Sequence, residues 1–225
     1  PIGLAYLAGS LKEAGFKVAG IDATGESIDQ HRPFENTRLQ YNGLSIPEII
    51  KKIPPDTRII GISSTFSHEW TFIRAGIRQI KKSFPEAIII AGGEHPSALA
   101  EYCLRDCLEL DYIAHGEGED TLVEFCKNIK NDQSLEFLEG ICFLSSGEFI
   151  KNPTRNRIRD VDKIPWPDWE VFDLETYFSA EKSFGASFGR NMPLMLSRGC
   201  PYQCTFCSNP QMWTTRYYLR SIDDV

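Results

Sequence analysis

No stretch of this sequence is long and apolar enough to span a bilayer, and no basic segment precedes an apolar one near its start. The chain therefore reads as soluble, unexported and cytoplasmic. Cation clusters are lacking too. Lys and Arg number 24 against 31 Asp and Glu, giving a formal charge of −7 and a pI near 5.2. That balance argues against broad nucleic-acid or anionic-membrane binding, both of which need clustered positive charge. Internal repeats and low-complexity tracts are absent, and histidine is scarce, with four in 225 residues. What is present is enough apolar material, 42%, for one good core and part of another. Cys103, Cys107, Cys126 and Cys142 are scattered through periodic segments and read as buried small apolar residues.

Along the chain, helix and strand alternate at close spacing. Residues 1–15 read as a helix, with Leu4, Leu7, Ala8, Leu11 and Ala14 on one stripe and Gly15 as its stop. Strands are expected at "FKVAGIDA" (16–23), "RIIGISS" (58–64), "AIIIAGG" (87–93) and "DYIAHG" (111–116). Helices are expected at 46–53, 69–84, 97–108 and 119–129, and residues 25–44 read as loop. Strands apolar on both faces between helices predict a doubly wound α/β domain with a parallel sheet. Such a domain normally opens with a strand, so the first strand is expected upstream of Pro1. After residue 139 a hairpin turning at Ser145-Ser146-Gly147 is expected, followed by a proline-rich linker. "MPLMLS" (192–197) reads as a buried strand, and Ser221 with Asp224 as the start of a helix where the sequence stops.

"SRGCPYQCTFCSNP" (197–210) places Cys200, Cys204 and Cys207 within eight positions, with Gly199 and Pro201 to bend the chain. Three thiolates spaced this way can converge on one centre. A structural zinc site wants four ligands, and the nearest histidine is His115. A disulfide leaves one thiol over. A four-iron cluster on three thiolates leaves one iron open to bind a substrate or cofactor.

In open α/β sheets ligands bind beyond the carboxyl ends of the strands. Three loops are expected at such ends: Ser63-Ser64-Thr65, Gly92-Gly93-Glu94-His95-Pro96 and Gly116-Glu117-Gly118-Glu119. The adjacent glycines admit a ligand close to the backbone, and the hydroxyls offer hydrogen bonds. Glu117 and Glu119 read either as an acid–base pair or, more plainly, as carboxylates shaping a loop at a helix N-terminus. Asp22 reads as a ligand contact or a cap. His68 and His95 are candidate cofactor contacts, with helix capping as the plainer reading of His68. His31 and His115 read as surface or satisfied core.

The C-x3-C-x2-C motif after a strand, with Phe206 before the last cysteine, resembles the radical S-adenosylmethionine superfamily. The phrases "GLAYLAGSLKEAGFKVAGIDA", "IIGISST", "AGGEHPSA", "DYIAHGEGEDTL" and "IPWPDW" resemble the subfamily that carries a cobalamin (B12)-binding domain before the radical barrel. "MWTTRYYLRS" is similar to the anaerobic magnesium-protoporphyrin ester cyclase and hopanoid-modifying members.

The resemblance implies a cobalamin-binding-like α/β domain at 1–139, a hairpin and linker at 140–190, and the start of a truncated (β/α) barrel at 191–225. It implies that Cys200, Cys204 and Cys207 hold a [4Fe-4S] cluster whose open iron chelates S-adenosylmethionine, with Phe206 near the adenine; ordinary core is the plain reading of Phe206 and of Trp213. Ser63, Ser64, Thr65, Gly92, Gly93, Gly116 and Glu117 would surround cobalamin. The D-x-H-x-x-G cobalt-ligand motif of some cobalamin domains is not found in this sequence. The implied function is generation of a 5′-deoxyadenosyl radical for methylation of an unactivated carbon, or an oxidative cyclisation or rearrangement. The implied partners are a small-molecule, lipid or tetrapyrrole substrate and a low-potential donor such as ferredoxin or flavodoxin. The chain by itself is expected to be inactive. A cobalamin-binding regulatory module with zinc on the cysteines is the alternative of another class.

Overall fold

The computed structural model describes residues 1–35, 37–181 and 189–225, so 182–188 of the expected linker lie outside the described residues. In chain order the elements are α1 (Ile2–Glu13), β1 (His31–Pro33), β2 (Gln40–Asn42), α2 (Ile46–Lys52), β3 (Ile59–Ser63), α3 (Trp70–Ser83), β4 (Ile88–Gly92), α4 (Glu94–Ala98), α5 (Ala100–Asp106), β5 (Tyr112–Ala114), α6 (Gly118–Lys130), β6 (Ile141–Ser145), β7 (Glu148–Lys151), α7 (Glu175–Ser179), β8 (Ser197–Arg198), α8 (Asn209–Met212) and β9 (Tyr218–Leu219). They form two compact units, one of Pro1–Thr57 with Trp166–Leu194 and one of Arg58–Pro165 with Met195–Val225.

In the first unit α1 buries Ala5, Tyr6 and Ala8. Its Gly9 admits the Trp166 backbone so closely that a Cβ would overlap the Trp166 carbonyl. The Asp168 amide donates to the Ala5 carbonyl at 2.9 Å, and Lys12 pairs with Asp168 at 3.1 Å and Glu170 at 3.0 Å. α2 starts at Ser45, whose amide donates to the Glu48 carboxylate at 2.7 Å, with Pro47 in the first turn. The expected strand at 16–23 does not form. Among the described residues the segment pairs with no strand and instead runs against residues 171–172, where a Cβ on Gly20 would meet the Val171 carbonyl at 2.7 Å. Within the expected loop at 25–44, β1 and β2 make a small antiparallel ribbon.

The second unit holds a five-stranded sheet in the order β3-β4-β5-β6-β7. β3, β4 and β5 are parallel, and β6 and β7 continue the sheet as the expected antiparallel hairpin. β4 lies inside the sheet between β3 and β5, with Ile89, Ile90 and Ala91 at most 2% exposed. Buried on both sides, it carries the near-continuous apolar run of a covered parallel strand. α3 contributes Ile77 and Ile80, α5 Cys103 and Leu104, and α6 Phe125 to the core. α3 stops at Ser83, two residues before Pro85, which disfavours helix in the residue preceding it. These apolar positions bury about 1.5–3 kcal/mol of transfer free energy each.

The expected buried strand at 192–197 is reduced to Ser197–Arg198, which among the described residues pairs only with β9. Leu194 and Leu196 are 54% and 50% exposed, so this apolar run is not buried as expected. The expected terminal helix is a turn. Its cap bond nevertheless forms, the Asp224 amide donating to the Ser221 hydroxyl at 3.2 Å. Among the described residues no helix is long and apolar enough to cross a membrane.

Candidate functional site

Because β3, β4 and β5 run parallel side by side, the loops that follow them share one edge of the sheet. The sequence predicts that convergence, and the register delivers it. Ser64 leaves β3 fully buried. Its amide donates to the Gly92 carbonyl at 2.8 Å and its carbonyl accepts from the His95 amide at 3.3 Å. Among the described residues the buried Ser64 hydroxyl has no hydrogen-bond partner. Gly93 has φ +107°, and a Cβ there would overlap the Ser64 carbonyl, so glycine is required. Gly92 has no such constraint, since a Cβ there would meet only the Ala114 residue, its side chain at 3.8 Å. Ser63 and Thr65 are exposed beside Ser64. At the third loop Gly116 has φ +90° and open space where a side chain would stand, and its amide lies 3.4 Å from the Ser97 hydroxyl.

The histidines separate clearly. His95 is 4% exposed, with Nδ1 2.9 Å from the Ser67 hydroxyl and Nε2 3.4 Å from Cys103 Sγ, and burial lowers its pKa. Its ring is satisfied inside the fold, not offered to a ligand. His68 is exposed and stacks on Phe66 at 5.7 Å. Asp22 takes the capping role, accepting from the Gly25 amide at 3.1 Å and from the Tyr177 hydroxyl at 2.6 Å.

Glu117 and Glu119 are not free to act as an acid–base pair. Glu117 accepts from the Ile158 amide at 2.6 Å and from Arg198 Nη1 at 3.2 Å. Glu119 receives both ends of the same guanidinium, Nη1 at 3.1 Å and Nη2 at 2.6 Å. The three side chains are 6–10% exposed. Burial alone would lower the Arg198 pKa, but its bonds to Glu119 and Glu117 outweigh that and hold it raised. Arg157 lies 3.7 Å from Glu117, and its guanidinium stands 5.4 Å from the Trp213 ring centre. On the other side of the cysteines, Glu94 accepts from the Ser208 hydroxyl at 2.9 Å and from the Trp213 indole at 3.2 Å. Sequence reasoning gave no role to Arg198, Arg157 or Glu94. The available signal was charge: an arginine two residues before Cys200 and a Glu-x-Glu pair beside a strand end are groups that need partners once buried.

The cysteine loop departs from the β8 ladder at Gly199. This residue has φ +100°, and a Cβ there would overlap the Arg216 carbonyl. Cys200 is half-buried, Cys204 and Cys207 are exposed, and all seven cysteines of the chain are free thiols, so no disulfide pairs two of the three. The Cys207 sulfur lies 3.4 Å from the Asn209 amide. Among the described residues no three His, Cys, Asp or Glu side chains are grouped to hold a metal ion. The loop is held by the Ser208–Glu94 bond and by Asn209, whose side-chain amide donates to the Cys200 carbonyl at 3.3 Å. Phe206 is 91% exposed, which overturns its reading as core. Trp213 is partly buried by the Glu94 bond and the flanking arginines.

A parallel sheet whose strand ends carry glycine and hydroxyl loops is the frame of a ligand-binding α/β domain. The chain belongs to the B12-binding domain family, whose description matches residues 1–126. It is 31% identical to an uncharacterized methyltransferase of Pyrococcus horikoshii, over 100% of this chain and 44% of the relative. It is 26% identical to the anaerobic magnesium-protoporphyrin IX monomethyl ester cyclase of Cereibacter sphaeroides, over 95% of this chain and 32% of the relative. The chain thus spans less than half the length of these relatives. The solved structure of the cobalamin-dependent S-adenosylmethionine radical enzyme OxsB, with aqua-cobalamin and S-adenosylmethionine bound, superposes with a TM-score of 0.77 at 23% identity. That match covers 100% of this chain and 28% of the other and bears out the α/β fold. The recognition drawn from the motifs is likewise borne out.

Proposed function

We infer that this chain supplies the cobalamin-binding and cluster-binding parts of a radical S-adenosylmethionine enzyme that methylates an unactivated carbon. The observation that carries the reading is the Ser64 hydroxyl, buried and without a partner among the described residues at the carboxyl edge of the sheet, close to the exposed Gly93. A buried polar atom without a partner costs free energy unless a ligand completes it. Cobalamin, with amides and a phosphate on its periphery, has groups of the right kind to do so.

The residues at the edge fit that cofactor: Ser63, Ser64 and Thr65 offer hydroxyls, and Gly92, Gly93 and Gly116 leave the backbone approachable. Cys200, Cys204 and Cys207 are free thiols, the donor chemistry an iron–sulfur cluster needs. When bound, the cluster supplies the electron that cleaves S-adenosylmethionine, and cobalamin supplies a transferable methyl group. The protein's part is to orient these groups and exclude water. Exposed Phe206 is free to stack on an adenine. A ferredoxin or flavodoxin would serve as the electron donor, and the substrate would be a small molecule, lipid or tetrapyrrole.

Equilibrium dialysis of the full chain against hydroxocobalamin tests the reading. One corrinoid per chain is expected, with affinity reduced in Ser64→Ala. Anaerobic loading with iron and sulfide should give about four irons per chain, as a cubane cluster requires. Stoichiometric zinc with no iron uptake would favour the regulatory-module reading instead. Similarity to the ester cyclase favours oxidative cyclisation as a second outcome of the same chemistry. Methyl-labelled S-adenosylmethionine separates the two in a complete enzyme, since only methylation carries the label into product.

A further inference from the structure

The loop that follows β3 is held at its root and exposed beyond it. Ser64 is fully buried, Thr65, Phe66, Ser67 and His68 are exposed, and Trp70 is buried again at the start of α3. Phe66 and His68 stack on each other, and the turn closes on itself, the Glu69 amide donating to the Phe66 carbonyl at 3.1 Å. Among the described residues, the side-chain hydrogen bond that ties this exposed segment to another loop of the sheet edge is Ser67 to His95, hydroxyl oxygen to Nδ1 at 2.9 Å.

His95 is itself firmly held. Its backbone amide donates to the Ser64 carbonyl at 3.3 Å, its Nε2 lies 3.4 Å from Cys103 Sγ on α5, and the Trp70 ring packs against it with centres 5.3 Å apart. The Trp70 indole in turn donates to Asp106 at 2.9 Å, and Arg74 Nη1 reaches both oxygens of that carboxylate at 2.7 and 2.6 Å. The imidazole is thus ordered by α3, α4 and α5 together. A buried imidazole costs free energy that an apolar side chain would not, unless its nitrogens are used. Here both are used, and one reaches out to an exposed serine that water would satisfy as well. Such a bond adds little net stability, so its use is better sought in where it holds the loop. We propose that His95 is a positioning residue: through Ser67 it latches the β3–α3 loop to the start of α4, and so holds the Ser63, Ser64 and Thr65 hydroxyls in place for a corrinoid at the neighbouring glycines. The latch rests on the corrinoid reading under Proposed function and involves no residue of the cysteine loop. It adds a side chain that does not touch the cofactor yet preorganises its site.

The test uses the full chain with hydroxocobalamin as the probe. The variants are Ser67→Ala, which trims an exposed hydroxyl, His95→Leu, which fills the core without nitrogens, and the two together. In the cofactor-free chain, hydrogen–deuterium exchange of the 63–69 amides should be faster in all three than in the wild type. Corrinoid affinity from equilibrium dialysis should fall about fivefold in each single variant, within the value of one hydrogen bond, and no further in the double variant. The denaturant midpoint of Ser67→Ala should match the wild type. If His95→Leu fails to fold, Ser67→Ala alone decides, by exchange and affinity together. Weaker binding with wild-type exchange at 63–69, or losses that add in the double variant, would place Ser67 on the cofactor itself and overturn the latch. So would a silent Ser67→Ala beside a destabilised His95→Leu, the mark of a histidine that only fills the core. Each of these results leaves corrinoid binding standing. A wild type that binds no corrinoid would overturn the functional reading and the latch with it.

Discussion

At Ser64 and Gly93 the fold accepts two costs within one contact. The hydroxyl is buried without a partner among the described residues, and the glycine holds a backbone angle that side chains avoid. Removing an unsatisfied buried hydroxyl relieves desolvation, so Ser64→Ala should leave thermal stability unchanged or slightly raised. Corrinoid affinity should fall by about tenfold, the value of one hydrogen bond. A structural hydroxyl would show the reverse pattern. Gly93→Ala should destabilise by at least about 1–3 kcal/mol, read from the denaturant midpoint, because the new Cβ collides with backbone. The cysteines divide just as sharply. Burial pushes the Cys103 thiol up to about 12 and the Cys107 and Cys126 thiols up to about 11. Below pH 9 a thiol reagent should therefore modify Cys200, Cys204 and Cys207 in the native chain, and the other four only on unfolding. Mass mapping of the adducts checks this.

At the scale of elements, β4 is the strand on which the others depend. Ile89 is 0% exposed and sits between two parallel neighbours, so Ile89→Ala should cost about 2–5 kcal/mol and lower the melting temperature. The elements most legible in the sequence were those whose own pattern decides them. The isoleucine runs of β3 and β4, the apolar stripes of α3 and α6 and the Ser-Ser-Gly hairpin all fall where they were expected. The failures are strands whose fate depends on a neighbour. Residues 16–23 and 192–197 have the apolar texture of strands, but a ladder needs a partner. The first lies against residues 171–172, and the second finds, among the described residues, only the two of β9. The 31–42 ribbon escaped notice for the opposite reason, since polar residues pair there without an apolar signature.

Over the whole molecule, the shared edge of the three loops was legible because parallel order follows from alternating strands and helices. The long-range ion pairs were not. Nothing local joins Arg198 to Glu119, 79 residues away, and the partnership emerges only when the sheet sets β5 beside the route to the cysteines. That partnership also decides between the two readings of the Glu-x-Glu loop, which sequence left open. The measurement that bears hardest on the function is equilibrium dialysis of the full chain with hydroxocobalamin, wild type beside Ser64→Ala. One corrinoid per wild-type chain, bound about tenfold more weakly by a variant of equal stability, is the expected result. A wild-type chain that retains no corrinoid, or a variant that binds it just as tightly, would contradict the assignment of this edge as the cobalamin site.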